Sequence, residues 1–223
     1  MTTKADARKL TRLLLSRNPD LALVDRMIVV KPVHHLLRCI DLWRTSATHD
    51  FRPVRAIKGL CVPVNSFNLS FGNHIDRKKA PVWDKHVPGI DAEFAGQIEE
   101  EVLPALRSVR TFDDFAGYAG QNSFNHRYYE DDLPTKIIID VARGDFTAAK
   151  QARRRLLKVP NMWSEWPNIP EEYDRSVRIL CPLIASRNVQ GLTALLQVWE
   201  AATVRKFKLD QLWTPTPFPL EIV

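Results

Sequence analysis

The sequence predicts an α+β fold: an N-terminal antiparallel β-sheet with flanking helices over residues 1–130, followed by a C-terminal all-helical bundle or short helical repeat over 131–223. Three observations carry that expectation. Short runs rich in Val, Ile and Leu, bounded by polar or proline-containing breaks, fill the stretch from residue 26 to 64. Apolar positions recur every three to four residues from residue 90 onward. Capping and stop residues punctuate the second half at helical intervals.

The elements follow in order. Thr3 and Asp6 have capping-box spacing, with Asp in the place usual for Glu, and open a helix over 4–17 with a Leu10, Leu13, Leu14 stripe. Asn18-Pro19-Asp20 ends it. Residues 26–31, 35–43 and 54–64 read as three strands, and Phe67, Leu69 and Phe71 alternate as a fourth would. In the second strand Leu37, Cys39 and Asp41 share one face, Leu36, Arg38, Ile40 and Leu42 the other. Neither face is cleanly apolar. Ile90, Phe94, Ile98 and Val102 mark a helix that Pro104 must kink or restart, because it lacks a donor and clashes with the preceding turn. Thr111 opens another helix. A loop over 120–132 follows, then a helix capped by Asp132 and stopped by Gly144, and one capped by Asp145. Two more helices are expected over 171–186 and 189–206, the last with Leu192, Leu195, Leu196 and Trp199 as a core stripe. The proline-rich tail from Thr214 to Pro219 should be extended. Residues 142–149 and 185–192 resemble each other as helix–turn–helix connections, the pattern of stacked helical hairpins.

With 45% hydrophobic and 26% charged residues, a 223-residue chain can hold a core without a disulfide or structural metal. Cys39, Cys61 and Cys181 are odd in number, far apart and set in apolar runs, so free thiols and a cytoplasmic, reducing location are expected. Charges interrupt the first residues too early for a secretory leader. No apolar run approaches the roughly 18 residues of a membrane span. Residues 1–90 hold 16 Lys/Arg against 7 Asp/Glu, residues 91–150 hold 6 against 12, and residues 151–223 hold 10 against 7. An acidic middle thus separates two basic ends, which can steer a charged partner or neutralise each other on folding.

No phosphate-binding glycine loop, HExxH or GxSxG motif is present, and no cofactor is expected. The preferred reading is a protein-binding module acting through the helical part. Met162, Trp163 and Trp166 lie together in a proline-punctuated loop, and tryptophan is enriched where proteins bind each other. One alternative is nucleic-acid binding by Arg77, Lys78 and Lys79 with Arg153, Arg154, Arg155 and Lys158. Another is a metal-dependent enzyme centred on His126. On a helical turn, its four-residue spacing to Glu130 would place both on one face, with Asp131 nearby. The adjacent His34 and His35 would point to opposite faces of a strand and cannot share a metal.

Overall fold

The computed structural model describes residues 3–45, 47, 49–63, 71–121, 129–158 and 171–222. Its N-terminal half carries an antiparallel sheet and its C-terminal half several helices, an α+β mixture. Helix α1 (Lys4–Arg17) begins on the capping box: Asp6 N donates to Thr3 Oγ1 at 3.1 Å, and Thr3 N donates to the Asp6 carboxylate at 2.8 Å.

A meander follows: β1 (Leu21–Val24), β2 (Met27–Val30), β3 (Leu36–Arg44), β4 (Asp50–Gly59) and β5 (Gly72–His74), each antiparallel to the one before. A short β6 (Trp83–Asp84) also pairs with β4. Strand β1 is not among those the sequence predicts. Four residues are too few to show a period, and they become a strand by pairing with β2 through a two-residue turn. Asp25 takes the left-handed conformation there, at φ 55°. β4 starts earlier than expected because the pairing with β3 continues down to Arg44 opposite Phe51. Residues 64–70, which include part of the expected fourth strand, lie outside the described residues.

Both faces of this sheet are covered. Ile28, Val30, Leu36, Ile40, Leu42, Phe51 and Ile57 join one large core, while Met27, Val29, Leu37, Cys39, Val54 and Ala56 join a second. The alternation along each strand assigns the two sets to opposite faces. The mixed character of β3 in the sequence follows from this.

Helices cover the first face. α2 (Ile90–Gln97) runs into a π-helical turn (Ile98–Val102) and restarts as α3 (Leu103–Ser108), with Pro104 in its first turn. The proline has no N–H to give, and the wider turn before it absorbs the misfit. α4 (Phe112–Gln121) and α5 (Leu133–Ala142) complete this side. Ile137, Ile138, Ile139 and Val141 are all buried. A Cβ on Gly59 would sit 2.7 Å from Ile139 Cδ1, so any larger residue there requires the end of the Ile139 side chain to shift. The same core takes residues from before and after position 130, among them Phe71, Phe115, Ile137, Leu196 and Phe218.

α6 (Phe146–Lys158), α7 (Glu171–Ser186) and α8 (Val189–Lys206) follow. The two connections noticed in the sequence match bond for bond. Asp145 N donates to Asp140 O at 2.9 Å and Asn188 N to Leu183 O at 3.0 Å. Asp145 accepts from Ala148 N, and Asn188 from Gly191 N, both at 2.9 Å. Gly144 at φ 81° and Arg187 at φ 51° are the left-handed stops. On α8, Leu192 and Leu196 are buried as expected, but Leu195 and Trp199 only half so. The far end of α8 turns inward: Val204, with Phe207 and Leu209 beyond it, covers the second face of the sheet.

Candidate functional site

Four cationic side chains from separate parts of the chain meet at a cleft of about 460 Å³. Lys31, Pro32 and His34 lie on the link between β2 and β3, and Lys31 N donates to Asp20 O at 2.7 Å, tying that link to the entry of β1. Arg38 rises from the core face of β3. Its residue is only 8% exposed, and its Nη2 donates to the Pro32 carbonyl at 2.7 Å. Arg107 on α3 grips both oxygens of Asp20 at 2.8 Å and also donates to Asn18 Oδ1 at 2.8 Å. Arg110, just past α3, donates from Nε to the Arg107 carbonyl at 3.3 Å.

The field in this cleft is positive. The Asp20 carboxyl is held below its usual range, first by its hydrogen bond from Arg107. Arg38 is pushed the other way for a cation: burial disfavours its charge most, the Arg110 charge adds to that, and Asp20 only partly compensates. Guanidinium does not give up its proton at ordinary pH, so the charges stay and repel. Such an arrangement can hold an oxyanion.

A second concavity, about 520 Å³, runs along α8. Ala194, Gln197, Val198 and Ala201 form one wall, Trp213, Pro215 and Thr216 the other, with Glu200 between. Val198 is 62% exposed, the second-highest value among the large apolar side chains described. The far wall is a strap, the extended tail expected from the sequence. Thr214 N donates to Val33 O at 2.9 Å, and His34 Nδ1 meets Thr214 O at 3.0 Å. Glu200, 2% exposed, accepts from Trp213 Nε1 at 2.8 Å and faces His35 Nδ1 at 2.9 Å. His35 Nε2 meets Pro217 O at 3.1 Å and Thr216 Oγ1 at 3.0 Å, and its ring stacks on Phe218 at 4.2 Å and Phe112 at 5.5 Å. Both histidines are therefore half-buried pins for the strap. They precede the first paired residue of β3, so strand alternation does not govern them.

The residues singled out in the sequence fall as follows. Met162, Trp163, Trp166 and His126 lie outside the described residues. Arg77 forms a two-pronged pair with Glu93 at 2.7 and 2.8 Å, and Lys78 reaches Glu101 at 2.5 Å and Glu100 at 3.5 Å, so both charges have local partners. Lys79 is exposed, as are Arg154 and Arg155; Arg153 is half-buried. Lys158 ends α6. Glu130 and Asp131 are exposed, the first 3.3 Å from Lys136 Nζ and the second 3.9 Å from Arg155. Among the described residues no three His, Cys, Asp or Glu side chains gather as a metal site, and no helix is long and apolar enough to cross a membrane.

The cleft is not legible in the sequence. Its cations are single residues spread from position 31 to 110, each ordinary in its own context. One signal was available: Arg38 interrupts the apolar row Leu36, Ile40, Leu42 at a core position. Compared with protein families, with curated proteins and with solved structures, the chain matches none.

Proposed function

We propose that this chain is a protein-binding module, engaged through its helical half and acting in the cytoplasm. The groove along α8 is the observation that carries the reading: apolar side chains line both walls, and Val198 stands open to solvent beside them. The strap that forms one wall is pinned at Val33, His34 and His35, so the groove needs little ordering when a partner arrives. An apolar side chain of another protein is the complementary occupant. Trp163 and Trp166 belong to the same half of the sequence and supply the residue type that dominates interface energetics. Three free thiols suit a reducing compartment.

The test is cross-linked capture from the native host with three proteins: the natural chain, Val198→Asp, and the double variant Trp163→Ala/Trp166→Ala. The expected result is a partner bound by the natural chain and lost by both variants, with melting temperatures nearly unchanged. If the tryptophans instead pin their loop to the body, the double variant melts far earlier, because removing a buried Trp leaves a cavity costing about 3–5 kcal/mol. That result removes the loop from the reading. Full capture by Val198→Asp removes the groove.

A further inference from the structure

We infer that the cleft between the β2–β3 link and the α3–α4 junction is a binding site for a phosphate monoester. This stands apart from the protein-binding reading, since none of the cleft residues lines the α8 groove. The charge balance comes first. Lys31, Arg38, Arg107 and Arg110 face the cleft with one carboxylate, Asp20, which is already gripped by Arg107. Among the described residues, Lys31, Arg38 and Arg110 have no carboxylate within ion-pair distance. Asp114, which also lies in the field of Arg110, accepts the backbone N–H groups of Arg110 and Thr111 as the cap of α4.

Arg38 is the sharper observation. A guanidinium taken out of water is unfavourable unless its donors and charge are answered. Here one carbonyl answers its donors, Asp20 answers only part of its charge, and Arg110 adds repulsion. An anion seated between the two arginines would relieve both effects at once. Arg107 is ready to join, because its Nη1 has no partner among the described residues while Asp20 fixes its other nitrogens.

Shape and valence then narrow the ligand. About 460 Å³ lies in the range of small-molecule pockets and exceeds what a lone phosphate ion fills. Val30 and Pro32 give the cleft an apolar wall, where the organic part of an ester can rest. A dianion answers three uncompensated cations better than a single carboxylate does. Its tetrahedral oxygens can also receive two guanidinium forks from different directions. The phosphate can belong to a free metabolite or to a phosphorylated side chain of another protein; the chemistry of the seat is the same.

Calorimetric titration of the full chain at fixed ionic strength tests this. The probes are O-phosphoserine, a short phosphoserine peptide, their unphosphorylated forms and a single-stranded oligonucleotide. Saturable binding of the phosphorylated probes alone is expected, with a matching rise in melting temperature. Arg110→Gln, at an exposed residue, should weaken binding about 10-fold or more, as loss of one charge-assisted contact implies. Arg38→Met tests the buried seat, and Arg110→Gln keeps the test decisive if that variant does not fold. Arg8→Gln, at an exposed position of α1, should bind as the natural chain does. Peptide binding much tighter than phosphoserine assigns the phosphate to a protein, and equal binding assigns it to a small molecule. Three results overturn the proposal: no saturable binding of either phosphorylated probe, equal weakening by Arg8→Gln, or binding of the oligonucleotide alone.

Discussion

Asp41→Asn should stabilise this protein at neutral pH. Asp41 sits on the face of β3 that carries Leu37 and Cys39 into the second core, and it is only 8% exposed. Burial pushes its carboxyl up to about 6 from 3.8, against the opposing pull of Arg26 and hydrogen bonds from Trp43 and the Leu42 backbone. At about 1.4 kcal/mol per pKa unit, ionising Asp41 in the folded state costs about 3 kcal/mol more than in the unfolded chain. Because the folded pKa lies above the unfolded one, the native state holds the proton more tightly. Stability from this group is therefore greatest below about pH 4, falls as pH rises to about 6, and stays low above. Asn keeps an acceptor for Trp43 and cannot ionise. Urea unfolding of both proteins from pH 4 to pH 8 isolates the effect, since every other titrating group cancels in the difference. The advantage of Asn should grow by about 2–3 kcal/mol across that window and level off near pH 7. A difference that stays flat would refute the reasoning, because it would mean that the charge of Asp41 is not disfavoured where it lies.

Two more outcomes follow from the geometry. The matched turns should respond with opposite signs: Gly144→Ala should destabilise by about 1–2 kcal/mol, the penalty of a Cβ in the left-handed region, while Arg187→Gly should stabilise by a fraction of that, both read by denaturant unfolding. Thiol titration should return all three cysteines as free after unfolding. In the native protein only Cys181 should react promptly, because Cys39 and Cys61 are buried and burial raises both thiols.

Much of the fold was legible because its signals are local. Thr3, Asp132, Asp145 and Asn188 cap helices with their own side chains, and Gly144 ends one through its own φ. Pro104 announced its break from its own missing donor. What stayed hidden depends on partners distant in sequence. β1 exists because β2 pairs with it. Glu200 lies among apolar positions on α8 yet is buried, because His35 and Trp213 supply its bonds. Trp199 shared a stripe with Leu192 and Leu196, but the stripe rotates so that the end of α8 can reach the sheet, which leaves Trp199 half out. The cleft is the extreme case, with cations from several elements and no two adjacent in sequence.

The strap also sets an order of events during synthesis. His34 and His35 wait for partners 180 and 165 positions further along the chain, and Val204, Phe207 and Leu209 cover strands that leave the ribosome long before them. Until that late segment emerges, the row of Met27, Val29, Leu37, Cys39 and Val54 has no lid. Contacts so far apart in sequence close slowly, and an open apolar sheet face is what chaperones hold and what aggregates recruit. The nascent sheet thus stays vulnerable until residues 204–209 have emerged, and that segment converts an exposed face into an interior.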